Sequence, residues 1–195
     1  MIVVDVEATG TEPGIHGLVS IGAIDLDKPE RQFYEECHID EGIHVMKEAL
    51  RINGFSEQEL YDISKPSEEE IVTAFISWAL DTSDHTIAGQ NPSFDRDFIR
   101  AGAKRYHIDW PLAYRTVDLH SVCVTHMLER KKELPIEKER SALTSDAIFS
   151  YVGLPAEPHP HNALVGAQME AEAFSRLFWG KKLLPDFERY DMPTY

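Results

Sequence analysis

Residues 1–10, Met-Ile-Val-Val-Asp-Val-Glu-Ala-Thr-Gly, set two acids into a run that otherwise belongs in the middle of a sheet. Ile2, Val3 and Val4 suit a buried strand, and Ala8-Thr9-Gly10 reads as a sharp exit turn. On a strand, side chains at i and i+2 leave the same face, so Asp5 and Glu7 project together. Two carboxylates held that close repel each other and need a proton or a cation between them. An all-oxygen ligand set suits a hard ion such as Mg²⁺ or Mn²⁺. An edge strand with two solvated acids is the plainer alternative. Against it, acids at the end of an apolar strand are costly to desolvate and need a reason to be there.

A chain of 195 residues favours one domain with a sizeable core. Its formal net charge of −15 argues against a broad basic face for duplex nucleic acid. It leaves room for a nuclease that grips a few nucleotides of one strand, because bound ions can carry the local positive charge. Cys37 and Cys123 show no pairing pattern, which fits a reducing cytoplasm. No apolar stretch reaches membrane-spanning length, and the N-terminus lacks a basic region followed by an apolar core. The expectation is a cytoplasmic protein with no membrane partner.

Val3–Val6, Leu18–Leu26 and Gln32–His38 read as strands separated by short gaps, which predicts an antiparallel meander. Residues 49–60 are mixed, with Ile-Asn-Gly-Phe interrupting and Ser56–Glu59 opening a helix. Ser67–Glu70 is a capping-box pattern ahead of Ile71, Phe75 and Ile76. Thr86–Gly89 reads as a short strand, and Phe94–Tyr106 and Val117–Arg130 as helices. Arg130–Arg140 reads as an exposed loop, and Thr144–Val152 and Asn162–Trp179 as two more helices. Strands first, then helices alternating with short strands, imply an α/β fold: a mixed sheet with helices packed on it.

Two further blocks carry chemistry. In Ala88-Gly-Gln-Asn-Pro-Ser-Phe-Asp95 a strand meets a turn, and Asp95 falls in the first turn of a helix, where the helix dipole favours negative charge. It either supports the helix start or joins the acids of the first strand; Asp97 should point to a different face. In His159-Pro-His-Asn-Ala-Leu-Val-Gly-Ala167, His161 immediately precedes a long helix that can face Asp5 and Glu7. There it can cap the helix or take a proton from water at neutral pH.

Asp-x-Glu-x-Thr-Gly at the start, Asn-x-x-Phe-Asp in the middle and His-Asn-Ala-Leu-x-x-Ala near the end together resemble the DEDDh-type 3′-5′ exonucleases. That group includes bacterial polymerase proofreading subunits, ribonuclease T and oligoribonuclease. The resemblance runs from about Ile2 to Phe178. It implies a ribonuclease H-like fold, a mixed β-sheet flanked by α-helices. On this reading residues 1–180 form an exonuclease domain, and residues 181–195 a tail packed on it or flexible. It also implies hydrolysis of phosphodiester bonds at single-stranded or short DNA or RNA 3′ ends, releasing nucleoside monophosphates. The cofactors would be two divalent ions, Mg²⁺ or Mn²⁺, about 4 Å apart. Asp5, Glu7 and Asp95 correspond to metal ligands and His161 to the general base. Ala8, Thr9 and Gly10 would lie against the terminal nucleotide, and Asn91 and Phe94 would be further substrate contacts. Some relatives dimerise, so the resemblance leaves a homodimer open.

The match breaks at one position. The family carries an Asp five residues after the histidine, and residue 166 is Gly. Glu170 lies four residues further on, on the same helix face and about 6 Å along the axis. Helical side chains lean toward the N-terminus, and Gly166 leaves space in that path. Glu170 is therefore the candidate replacement, catalytic and metal-ligating. The alternative is a solvated acid on a helix rich in them, with Glu172 two residues along. If nothing replaces the Asp, the chain becomes a catalytically degenerate module that binds nucleic acid or a polymerase.

Overall fold

The computed structural model describes residues 1–194; Tyr195, the last residue of the expected tail, lies outside them. β1 (Ile2–Ala8), β2 (Leu18–Asp25) and β3 (Gln32–Glu36) form the antiparallel meander. β4 (Ile87–Gly89) and β5 (Thr116–Asp118) add in parallel on the other side of β1, giving the order β3-β2-β1-β4-β5. The helices are α1 (Lys47–Asn53), α2 (Glu57–Leu60), α3 (Glu68–Leu80), α4 (Ser93–Arg105), α5 (Leu119–Glu129), α6 (Ser145–Tyr151) and α7 (Ala163–Trp179). This is the expected mixed sheet flanked by helices. Among the described residues, no helix is long and apolar enough to cross a membrane.

β1 alternates as a central strand must. Ile2, Val4, Val6 and Ala8 enter the core shared with Phe75 of α3 and Phe98 of α4. Val3 enters the opposite core, with Phe149 of α6 and Phe174 of α7. Asp5 and Glu7 share Val3's face, so both acids leave the sheet toward α7.

Two features press α7 onto that face. Gly22 of β2 lies so close that an added Cβ would overlap the backbone of Ala163 and Leu164. Asn162 caps the helix, accepting from Leu164 N at 3.1 Å and Val165 N at 3.2 Å, and its amide donates to Tyr34 Oη at 2.9 Å. His161 is thereby held at the helix entrance. At the other end Arg176, fully buried, pairs with Glu172 at 2.7 Å and donates to the carbonyls of Val152 and Tyr190. Glu172 also accepts from Leu183 N at 2.7 Å and Leu184 N at 3.0 Å, so it is a fully paired interior acid that ties down residues 183–190, not a solvated one.

Two segments differ from the pattern expected of them. Thr116–Asp118 is a strand, not the start of a helix, because it pairs with β4 and because the Asp118 side chain caps α5 at His120 N and Ser121 N. The expected loop 130–140 contains a small hairpin of β6 (Ile136–Glu137) and β7 (Arg140–Ser141). Its turn puts Lys138 and Glu139 at φ 48° and 62°, the left-handed geometry of a two-residue hairpin turn. Exposed on both faces, it carries no apolar alternation by which to read it.

Because backbone opposes Gly22, Gly22→Ala should lower stability by about 1–3 kcal/mol or more. The check is a lower urea midpoint with an unchanged slope.

Candidate active site

The site forms where β1, the start of α4 and the first half of α7 meet. β4 pairs with β1 only at Ile2 and Val3, so the amide of Val6 has no strand partner on that side. Asp95, in the first turn of α4, accepts that amide through Oδ1 at 3.1 Å, which locks α4 to β1 and brings a third carboxylate to Asp5 and Glu7. Asp97 pairs with Arg96 and is half-buried, on the other face as expected.

Glu170 arrives from α7. It is 6% exposed, and its Oε2 has no hydrogen-bond partner. That oxygen would lie 3.0 Å from a Cβ at Gly89, so the bare backbone at the end of β4 makes room for it. One turn back, a Cβ at Gly166 would overlap Asp5 Oδ2. Asp5 has therefore moved into the space that a side chain at 166 would take. An acid that sequence reasoning missed, Glu157, reaches the same spot: its Oε1 lies 3.4 Å from that Cβ position.

Burial shifts all of these groups the same way, and neighbouring carboxylates add to it for every one but Asp95. Asp5 keeps some solvent contact, yet the protein packed around it and the Glu170 charge raise its pKa well above the ordinary value of 3.8. Burial, then Glu157 and Asp95, push Glu7 to about 8. Burial lifts Asp95 to about 7 against the opposing Val6 amide, and burial with Asp146 lifts Glu157 to about 7. Glu170 is raised well above 4.5 by burial and by Asp95, with the Gln90 amide opposing. Among the described residues none of these five pairs with a Lys or Arg, and the sole ionic neighbour is His161 beside Glu157. Nor do any three acidic or imidazole groups there already stand at coordination distance around one point. The ring is open in this structure.

His161 stands at the rim with its Nδ1 3.8 Å from Glu157 Oε1, and its ring stacks on His159 at 4.7 Å. Burial and the neighbouring His159 lower its pKa, which favours the neutral imidazole.

A cleft of about 190 Å³ opens beside Glu7, lined by Val6, Ala8, Gly10, Met46, Ile52 and Phe94 among others. Ala8, Gly10 and Phe94 are thus on the wall of this cleft. Thr9 does not line the cleft. Its Oγ1 donates to His44 O at 2.7 Å and accepts from Gly17 N at 3.0 Å, and its carbonyl accepts from Met46 N at 2.7 Å. It fastens the cleft wall to the segment before α1. Asn91 also lies outside the cleft, at φ 55°, with its amide donating to Asp118 Oδ1 at 3.1 Å. The α1 wall was not foreseen, because Met46, Ala49 and Ile52 look like ordinary helix apolar positions. A signal for Glu157 does exist in the chain: an acid four residues before the histidine, in a segment stiffened by Pro155, Pro158 and Pro160.

A family model described as "Exonuclease", RNase T, matches residues 2–174. The chain belongs to the RNase T exonuclease family. Among curated relatives, the PolC-type DNA polymerase III of Thermotoga maritima is 26% identical over 178 residues, which cover 90% of this chain but 12% of the polymerase. The 3′-5′ DNA exonuclease Cap18 of Escherichia coli is 28% identical, covering 88% of this chain and 87% of Cap18. Among solved structures, Escherichia coli Exonuclease I in complex with an oligonucleotide overlays with a TM-score of 0.72 at 17% identity, over 92% of this chain and 41% of that one. The cell-death related nuclease CRN-4 overlays with a TM-score of 0.69 at 14% identity, covering 90% of this chain and 62% of that one. At these identities the structural likenesses are of fold. The chain thus spans a small part of the polymerase and under half of the Exonuclease I chain.

The raised carboxyl pKa values fix the sign of a pH effect. Between the ordinary carboxylate range and about 7–8, the folded protein holds protons that the unfolded chain has released. In EDTA, stability is therefore full on the acid side and should fall as pH rises from about 5 to about 8. Thermal melts across that range should show this slope, and Mn²⁺ should flatten it by raising Tm most at the alkaline end.

Proposed function

We propose that this chain is a divalent-metal-dependent 3′-5′ exonuclease that acts on single-stranded or short DNA or RNA ends and releases nucleoside monophosphates. One observation carries the reading. Asp5, Glu7, Asp95 and Glu170 are gathered from three elements around one space, and no Lys or Arg among the described residues pairs with them. A fold gains nothing from such an arrangement unless a cation joins it. The donor set is all oxygen, and the unpartnered Oε2 of Glu170 is a ligand atom in waiting. Both suit Mg²⁺ or Mn²⁺. Membership of the exonuclease family and the 3′-5′ DNA exonuclease activity in Cap18's name support the same reading.

Asp5, Glu7, Asp95 and Glu170 would hold two ions. Bound ions would lower the pKa of the attacking water and steady the charge on the phosphate. The chain's own groups do the rest. His161, its imidazole pKa lowered and its Nδ1 turned to Glu157, offers Nε2 to take the proton from the water. The cleft bounded by Ala8, Gly10, Ile52 and Phe94 takes the terminal base on an apolar floor and so positions the last phosphodiester beside Glu7. With apolar recognition of the base and a net charge of −15, one frayed strand fits better than a long duplex.

Gly166 favours a second reading, a binding module that holds a 3′ end without cutting. A 5′-labelled single-strand degradation assay with Mg²⁺, Mn²⁺ or EDTA separates the two. A metal-dependent ladder that disappears in Asp5→Ala is expected. His161→Gln should lower kcat by about 10²–10⁴-fold, and Glu170→Ala should lower activity in both metals. Binding of the oligonucleotide without cleavage in any metal would favour the module, and full activity in Glu170→Ala would remove that residue from the ring.

A further inference from the structure

We propose that Glu157 supplies the carboxylate that position 166 lacks, as an ion ligand beside Asp5 and Glu7. This rests on the reading of the acidic ring as a divalent-ion centre, and it adds a residue from outside every motif of the resemblance.

The geometry is specific. Glu157 sits in the segment between α6 and α7, where its amide donates to Asp146 Oδ1 at 3.0 Å. From that anchor the side chain turns inward until 11% of it is exposed. Its Oε1 is buried, has no hydrogen-bond partner and stands 3.4 Å from where a Cβ on Gly166 would be. A side chain at 166 would begin at that point. The oxygen an Asp would bring there comes instead from a longer side chain on the preceding segment. Asp5 Oδ2 leans into the same pocket, so the absence of a side chain at 166 brings Asp5 and Glu157 to one small volume.

The other interior acids set the contrast. Glu172 is satisfied by Arg176, Leu183 N and Leu184 N, and Glu68 by Arg105 and Leu18 N. An acid retained for the fold alone is paired in this manner. Glu157 Oε1 is not, and its approach to His161 Nδ1 at 3.8 Å is too long for a hydrogen bond. A second, independent orphan faces the same ring: Oε2 of Glu170, on a side chain more than nine-tenths buried. The two oxygens meet different glycines. Glu170 lies against Gly89 at the end of β4, and Glu157 against Gly166 on α7. Glu170 restores the number of acids on the helix, while Glu157 restores an acid at the vacated place. Both act on Asp5, and both would be available to hold divalent ions.

The test is Mn²⁺ titration by calorimetry on the whole chain, as wild type, Glu157→Gln and Asp5→Asn, with the Tm of each in EDTA. Glu157→Gln is isosteric and removes one repelling charge. Its Tm in EDTA should stay the same or rise at pH 8, while Mn²⁺ binding weakens by about 10–100-fold, the range typical of losing a group that supports a metal. Unchanged Mn²⁺ affinity in Glu157→Gln, with weakened affinity in Asp5→Asn, would overturn the proposal. If activity falls in that case, Glu157 merely orients His161. Unchanged affinity in both variants would overturn the ion-centre reading itself.

Discussion

Repulsion among carboxylates that have lost much of their water is the constraint around which this molecule is arranged. Asp5, Glu7, Asp95, Glu157 and Glu170 face one space, and each has its pKa raised by burial first and by neighbouring charge in most cases. Nothing local rewards this, so packing elsewhere must hold it. Gly22 lets the N-terminus of α7 touch the sheet backbone. Ala163, Ala167 and Ala171 keep the same helix close, and the Arg176–Glu172 pair anchors its far end to the tail segment. On the opposite face of the sheet, the apolar core of α3 and α4 holds β1 in place. The cluster is held by the frame around it, and in the proposed reading cations relieve what that frame imposes.

Position 166 shows how a loss can be absorbed. A glycine there could mark an abandoned site, and taken alone the sequence supports that reading. In the fold, the glycine is the place into which Asp5 leans and beside which Glu157 arrives. The helix also keeps an interior acid one turn on, at Glu170. In the proposed reading the number of carboxyl groups is kept while their placement changes. A chain that no longer needed cations would be expected to relax such acids toward apolar or paired side chains.

Much of this was legible from local patterns. The i, i+2 alternation of β1 placed Asp5 and Glu7 on one face, and the capping boxes at Ser56 and Ser67 opened helices where expected. The helical offset from 166 to 170 put Glu170 on the buried side of α7, near Asp95. What was illegible depends on contacts distant in sequence. Thr116–Asp118 is a strand because β4 is there to pair with it. Thr9 turns inward because Gly17, His44 and Met46 offer it partners, and the apolar residues of α1 become a cleft wall only when docked beside Glu7. Glu157 lies in an irregular, proline-rich segment with no period to read, and only the packing of Gly166 against Asp5 reveals what it faces.

The central claim is that this ring of acids exists to hold divalent cations. Anomalous diffraction at the manganese edge from crystals grown with Mn²⁺ and a nucleoside monophosphate tests it most directly. The account expects manganese peaks among Asp5, Glu7, Asp95, Glu157 and Glu170, with the ring drawn inward and the nucleotide's base in the cleft by Phe94. A ring that stays open, with manganese elsewhere or nowhere, would contradict it.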